Sequence, residues 1–283
     1  HGIKGKLVLA GLGAGLSYAC VATALADDRI VLAANGNDGA MRTLLMLARD
    51  GHPDPTFGAG GATTPAALQG KVIKRIAPLV SNYFVVAAVA GSGNAQSSTI
   101  TRFDPAGRLD TQFAAGGTLR VEPAGGGGSV AVEDVFEQID NNLLVTGSTP
   151  DGMLVARYLQ RGVPELSFNA GRGPLIVPEP ASRATQGIAS LSFGGAQLVH
   201  IGNGLAHHST TASRAFLIST QEGVLDTAYG SKGIVSLFGA RLAFGEFAQQ
   251  VIPLADGKIL VASATGVDGG LVGTLSRFLA DGA

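Results

Sequence analysis

The chain has little of several residue types, and each shortage excludes a class of protein. Its 283 residues include one cysteine, Cys20, and no tryptophan. A single cysteine excludes an internal disulfide framework and a cysteine-rich zinc site. Only 14% of the residues are charged, and 20 Lys and Arg nearly balance 21 Asp and Glu. Nucleic-acid binding is therefore not expected, because it needs a basic surface and the longest basic cluster is Lys71, Lys74 and Arg75.

Glycine is the residue that the chain has in excess. The 42 glycines are roughly twice the average share for proteins. With 46% hydrophobic residues, the composition is also the opposite of a disordered chain. These figures indicate a neutral globular protein in which many turns separate short apolar segments.

The uncharged segment 7–26 has two interpretations. It ends in Ala24-Leu25-Ala26 after Lys4 and Lys6, a pattern typical of a secretory signal peptide or of a marginal membrane span. Three glycines, at positions 11, 13 and 15, interrupt it as turns interrupt strands. We therefore expect an outer strand, a glycine-rich turn and an inner strand, with no membrane insertion.

One signature recurs along the whole chain: an apolar strand, a turn that ends in Gly, an acidic residue three positions later and an aromatic residue six positions later. The four complete copies are ARDGHPDPTFGAGG (48–61), DPAGRLDTQFAAGG (104–117), LQRGVPELSFNAGRG (159–173) and STQEGVLDTAYGSKG (219–233), and FLADGA (278–283) is a truncated fifth. The turn glycines are Gly51, Gly107, Gly162, Gly223 and Gly282, so the period is 55 to 61 residues.

Each repeat contains four short Val-, Ile- and Leu-rich segments bounded by Gly, Asn, Asp or Ser, which predicts four strands. A single four-stranded unit cannot bury both faces of its sheet, so neighbouring units must stack. Radial stacking gives a β-propeller of about 4–8 blades. We therefore predict one all-β domain over 1–283, a five-bladed propeller with four antiparallel strands per blade and repeats at approximately 1–57, 58–113, 114–168, 169–229 and 230–283. Residues 6–9 are expected to close the last blade as its fourth strand.

The motifs DGKILVASA (256–264), LSRFLADG (275–282), LDTQFAAGG and LDTAYGSKG resemble the bacterial delta-60 repeat. Copies of that repeat run as DGKILVAG followed by RLNxDGxLDxxFG. The resemblance covers essentially the whole chain, but Met46 and Ile218 replace the arginine found at Arg102, Arg157 and Arg277. It implies a propeller-like array in large secreted or cell-envelope bacterial proteins, and it implies no specific activity.

Residues present in every copy are expected to be structural. We expect the turn glycines to adopt positive φ. The acids Asp54, Asp110, Glu165 and Asp226 should accept backbone N–H bonds or pair with a strand arginine. The aromatics Phe57, Phe113, Phe168 and Tyr229 should fill the gap between neighbouring sheets.

Functional residues are expected where the copies disagree. The loop NGLAHHSTTASR (203–214) places His207 and His208 beside Ser209, Thr210 and Thr211. A solvated polar loop is the favoured interpretation, with ligand contact and metal binding as alternatives. No third metal ligand lies nearby in the sequence. His200 lies within a predicted strand and is expected to be a core or channel residue.

Two further groups of polar residues have functional interpretations. The segment Asn35-Gly-Asn-Asp-Gly39 starts like a calcium loop but lacks the carboxylates of an EF-hand, so a β-turn is expected. Glu133, Asp134 and Glu137 lie on or beside a predicted inner strand. There they could line a central channel and act as acid and base on a glycosidic bond.

The favoured function at this stage is a non-enzymatic structural or interaction module of a secreted or cell-surface bacterial protein. His207, His208, Glu133 and Asp134 are its candidate binding residues, and no cofactor or metal is expected. Two alternatives stay open: a lectin-like propeller, and a glycoside-active five-bladed enzyme. A monomeric domain with a protein or glycan partner is expected.

Overall fold

The computed structural model describes residues 16–36, 41–178, 185–193, 197–205, 211–219, 222–236, 246–254, 258–267 and 270–279. These residues form five β-sheets, four with four strands and one with three. Helical structure in the described ranges is limited to the turns Ala66–Leu68, Val80–Asn82, Gly93–Ala95 and Phe168–Gly171. None of these is long and apolar enough to cross a membrane. The prediction of an all-β chain built from four-stranded antiparallel sheets is confirmed at this level.

The chain divides into two compact units. The first comprises His1–Val121, Asp140–Leu143 and Leu159–Val163, and the second comprises Glu122–Ile139, Leu144–Tyr158 and Pro164–Ala283. The first unit contains sheets 1 and 2. Sheet 1 consists of β1 (Leu16–Ala24), β2 (Ile30–Gly36), β3 (Met41–Leu47) and β4 (Ala62–Thr63); sheet 2 consists of β5 (Val72–Pro78), β6 (Phe84–Ala90), β7 (Ser97–Phe103) and β8 (Thr118–Val121).

The other three sheets belong to the second unit, except that Leu143, the first residue of a strand in sheet 3, is assigned to the first unit. Sheet 3 consists of β9 (Ala131–Glu137), β10 (Leu143–Thr149), β11 (Gly152–Tyr158) and β12 (Leu175–Pro178). Sheet 4 consists of β13 (Thr185–Phe193), β14 (Gln197–Leu205), β15 (Thr211–Ser219) and β16 (Ile234–Ser236). Sheet 5 consists of β17 (Glu246–Pro253), β18 (Ile259–Val267) and β19 (Gly270–Phe278).

In every sheet the strands pair in chain order. In sheets 2 and 3 the second strand is deeply buried, as in β6, whose FVVAAVA is buried along almost its full length. Strands with two buried faces are expected to be nearly continuous apolar runs, which is how β6 and β10 read in the sequence.

The core of the first unit lies between sheets 1 and 2. Val31, Ala33, Leu44 and Met46 of sheet 1 pack with apolar side chains of sheet 2: Ile73, Ile76, Phe84, Val86, Ala88 and Phe103. The rings of Phe84 and Phe103 stack at 5.4 Å between centroids. This layer is what fixes the two sheets face to face.

In the second unit the core includes Leu144, Met153, Val155, Phe168 and Val177. The first strands of its sheets are neighbours, since β9 contacts β13 and β13 contacts β17. The same relation holds between β1 and β5 in the first unit. Within each unit, the first strands of successive sheets therefore lie next to each other.

Candidate functional site

Each sheet has two chemically different ends. Because successive strands are antiparallel, the turn between the first two strands and the signature turn lie at one end, which we call the signature end. The loop between the second and third strands and the segment that enters the first strand lie at the other, which we call the variable end. In sheet 3 the variable end includes the glycine run 125–128, all at positive φ, and the tight turn at 150–151.

At the signature end, the aromatic residue of one repeat packs on the turn glycine of the next. Phe57, Phe113 and Phe168 are almost completely buried. A Cβ added to Gly107 would lie 2.6 Å from the ring of Phe57, and the corresponding distances are 2.8 Å for Gly162 on Phe113 and 2.6 Å for Gly223 on Phe168. These glycines also have φ of +79°, +76° and +67°, so they are required for conformation and for space.

The backbone repeats the same link. The residue after the aromatic donates its N–H to the carbonyl just before the next turn glycine: Gly58 to Ala106 at 3.0 Å, Ala114 to Arg161 at 2.7 Å and Asn169 to Glu222 at 2.8 Å. The prediction that the aromatics and glycines of the signature are structural is confirmed for these copies.

Asp54 and Asp110 bind both partners that the sequence allowed, whereas Glu165 pairs with an arginine and Asp226 accepts a backbone N–H. One carboxylate oxygen accepts the N–H two residues later, as in Asp110 with Gln112 at 3.0 Å. The other accepts from a guanidinium: Arg102 Nε lies 2.7 Å from Asp110 Oδ2, and Arg157 pairs with Glu165. Arg102 also donates to the Gln160 carbonyl in the turn of the third repeat, at 2.7 Å.

The first repeat reaches the same arrangement from a different position. Met46 occupies the strand position of the arginine and is fully buried. Arg29, at the start of β2, donates from Nη1 to Asp54 Oδ2 at 2.9 Å and to the Pro105 carbonyl at 3.1 Å. Sequence reasoning missed Arg29, because a guanidinium that arrives from another strand leaves no trace in the repeat alignment.

The first strands of sheets 2 and 3 carry different charged residues at two consecutive positions, and the candidate site lies at these positions in sheet 3. In β5, a register shift between Ile73 and Arg75 marks a bulge at Lys74. Ile73 and Ile76 are buried, whereas Lys74 and Arg75 between them are partly or fully exposed. A bulge allows two consecutive side chains to avoid the core together.

Two consecutive carboxylates show the same burial pattern in β9. Glu133 and Asp134 are partly exposed between Val132 and Val135, which are both fully buried. Strict alternation would send one of the two side chains toward the core, so both carboxylates leave it. The Val135 N–H donates to Asp134 Oδ1 at 2.9 Å, which holds that carboxylate against its own strand.

Glu137 is partly exposed near the end of β9. Four residues of strand separate its backbone from that of Glu133, roughly 13 Å at about 3.3 Å per residue. Glu133 and Asp134 are the two acids of β9 that are consecutive in the sequence. Among the five first strands, β9 is the one whose sequence holds more than one acid. An acid and a base a few ångströms apart can together cleave a glycosidic bond.

Other candidates from the sequence fall partly outside the described residues. His207 and His208 lie outside them, as do the last three residues of the 35–39 loop. The backbone of His200 lies in the middle strand pair of sheet 4, opposite Ser190 and Phe216. Within the described ranges, no three His, Cys, Asp or Glu side chains are grouped so that they could hold a metal ion.

Comparison with known proteins gave matches among solved structures alone. No family model matches the chain, and no curated protein matches it. A hypothetical protein from Leishmania major is 15% identical, with a TM-score of 0.43, and the match covers 95% of this chain and 87% of that one. A β-1,3-galactosidase of family GH43 is 11% identical, with a TM-score of 0.49, and the match covers 93% of this chain and 91% of that one. An α-L-arabinofuranosidase from Lactobacillus brevis is 10% identical, with a TM-score of 0.49, and the match covers 92% of this chain and 90% of that one.

These matches correct the prediction of a non-enzymatic interaction module. Glycoside hydrolases recur among them, whereas the sequence-based prediction was of a protein without enzymatic activity. A pair of catalytic carboxylates has no fixed motif in a sequence, so its residues do not stand out there. At these identities and TM-scores, the matches carry no activity over to this chain, so its own residues must supply the argument.

Proposed function

We propose that this protein acts on glycosidic bonds and that Glu133 and Asp134 are its reacting carboxylates. The observation that carries the proposal is the placement of two consecutive carboxylates outside the core on the first strand of sheet 3. The fully buried residues on either side of the pair are Val132 and Val135.

The chemistry divides between the two groups. Cleavage of a glycosidic bond needs one carboxylic acid to protonate the departing oxygen and one carboxylate to attack the anomeric carbon or to activate water. Asp134 is the candidate for the second role, because the Val135 N–H fixes one of its oxygens. Glu133 has the longer side chain and is the candidate acid. The two carboxyl groups must then lie about 5–10 Å apart on either side of the bond.

The experiment is an assay of reducing ends released from a panel of oligosaccharides that differ in linkage and sugar. Wild type is expected to release product from at least one. Glu133→Gln and Asp134→Asn should each lower kcat by about 10²–10⁴-fold, the range for loss of a general acid or base. Glu222→Gln is the matched control, since Glu222 is an exposed acid of a signature turn. Equal activity in all four proteins, or no product from wild type, would contradict the proposal.

We further propose that the five sheets are the blades of a five-bladed propeller, with residues 6–9 as the fourth strand of sheet 5. Those four residues lie outside the described ranges, and the support comes from β19. In sheets 1 to 3 the residue three positions before the end of the third strand pairs with a fourth strand and is fully buried: Leu44, Ile100 and Val155. The corresponding Leu275 is 69% exposed.

The repeat alignment places Leu7 opposite Leu275, as Leu119 is opposite Ile100. In a Cys20→Ser background, the pair Leu7→Cys and Leu275→Cys should form a disulfide under mild oxidation, because directly paired residues bring their Cβ atoms about 4.5–5.5 Å apart. Peptide mapping detects the bond. Leu9→Cys with Leu275→Cys, two residues out of register, is the control, and equal yields from both pairs would contradict the register.

A further inference from the structure

Three polar side chains lie in the apolar layer between sheets 1 and 2, at its variable end, where the packing of the core does not need them. They are Asn35 on β2, Lys71 just before β5 and Thr99 on β7. All three belong to the first unit.

The strand register places these residues in one layer. On β2, Asn35 follows Val31 and Ala33 by strict alternation, and both of those residues pack against sheet 2. On sheet 2, Ile73, Ala88 and Thr99 are directly paired across three strands and so share one face, the face toward sheet 1. The signature ends of the two sheets meet where Phe57 packs on Gly107, and the strand that carries Asn35, β2, contacts β5.

Lys71 brings a positive charge into this layer without a carboxylate to balance it. Its Nζ donates to Thr99 Oγ1 at 3.0 Å. In the described part of the chain no carboxylate forms an ion pair with it. Burial lowers the pKa of the Lys71 ammonium, the direction expected of a cation that loses water and gains no anion.

Asn35 adds an acceptor that has no donor. The residue is 8% exposed, and its Oδ1 is buried with no hydrogen-bond partner among the described residues. A buried carbonyl oxygen without a donor lowers the stability of the fold. A residue kept at that cost is a candidate for binding, because a ligand hydroxyl can supply the missing donor.

We propose that Lys71, Thr99 and Asn35 form a binding site for a hexuronate, a sugar ring that carries a carboxylate beside its hydroxyls. The ammonium of Lys71 pairs with the carboxylate, Thr99 holds the ammonium in place, and Asn35 Oδ1 accepts from a ring hydroxyl. Arg120, which is paired with Thr99 on β8 and exposed, adds positive charge at the rim. The site uses no residue of β9, so it stands independently of the proposed activity.

Equilibrium binding by isothermal calorimetry tests the site directly, with glucuronate and galacturonate as probes, glucose and galactose as neutral counterparts and acetate as the bare anion. Wild type is expected to bind a hexuronate saturably and at least tenfold more tightly than the matching neutral sugar or acetate. Comparable binding of neutral sugar, comparable binding of acetate, or no saturable binding of either hexuronate would each overturn the proposal.

Variants separate the site from a general effect of charge. Lys71→Met should weaken hexuronate binding about tenfold or more, because it removes a charge-assisted bond. Thr99→Val keeps the side-chain shape and should weaken binding severalfold. It also provides the test if Lys71→Met fails to fold. Lys232→Met, at an exposed lysine of a signature turn, should leave binding unchanged. Loss of binding in Lys232→Met equal to that in Lys71→Met, or unchanged binding in Lys71→Met and Thr99→Val, would overturn the proposal.

Discussion

The contact between Phe57 and Gly107 gives the sharpest prediction about how neighbouring repeats hold together. Gly107→Ala places a Cβ 2.6 Å from Cε2 and 2.7 Å from Cζ of Phe57. Since Phe57 is fully buried, its ring has nowhere to move. Overpacking of this kind costs about 1–3 kcal/mol. The left-handed backbone, with φ of +79°, adds about 1–2 kcal/mol for any residue with a Cβ. The expected total is about 2–5 kcal/mol.

Gly116 in the same signature provides the matched control. Its φ is +68°, and a Cβ added there meets no atom within 4 Å. Gly116→Ala should therefore show the backbone cost alone, about 1–2 kcal/mol. The difference between the two variants isolates the contact with Phe57.

Urea unfolding followed by circular dichroism measures both variants. Phe57→Leu, which shortens the side chain, should recover part of the loss when combined with Gly107→Ala, because it opens the space that the new methyl group needs. Equal destabilisation by the two glycine variants, together with no recovery in the double variant, would refute the packing argument.

Three other predictions concern the same signature end. Phe113→Ala should destabilise the protein by about 3–5 kcal/mol, as measured by urea unfolding, since it empties a fully buried site; an unchanged unfolding midpoint would show that the ring is not part of the core. Arg29→Met should lower the free energy of unfolding by about 1.5–3 kcal/mol, because it leaves the buried Asp54 carboxylate without its cation. The control Arg49→Met breaks an ion pair at an 80% exposed arginine and should lower it by about 0–1 kcal/mol. Equal losses would be inconsistent with a structural role for Arg29. Burial acts to raise the pKa of Asp54, but hydrogen bonds from Thr56 and the pair with Arg29 outweigh it and lower that pKa. The stability lost in Asp54→Asn should therefore be present above about pH 4 and shrink as the pH falls further. A loss of stability that is independent of pH between 2 and 6 would contradict this.

Much of the fold could be predicted because four complete copies of the signature occur in the sequence. The predicted four-stranded antiparallel sheets are present as sheets 1 to 4. The turn glycines and signature aromatics have the roles expected of them, since positive φ and large buried rings are properties of single residues that the sequence shows directly.

The contacts that the sequence did not show depend on geometry between strands. Arg29 replaces the strand arginine that Met46 displaced, and only the fold brings it to Asp54. Regular alternation along the strand predicts that one of Glu133 and Asp134 faces the core, yet both are partly exposed. A departure from regular alternation cannot be recognised in the sequence. Likewise, nothing in the residue order indicates that Asn35 and Lys71 belong to one layer, because that placement depends on the packing of sheet 1 against sheet 2.

The most direct test of the central claim is ¹H NMR of an oligosaccharide panel incubated with the protein, followed at the anomeric protons. The account predicts that, for at least one linkage, the signal of the glycosidic anomeric proton decays while that of a new anomeric proton grows. It also predicts that Glu133→Gln and Asp134→Asn slow this conversion at least a hundredfold. Persistent glycosidic signals for every linkage, or conversion at the same rate in the wild type and both variants, would contradict it.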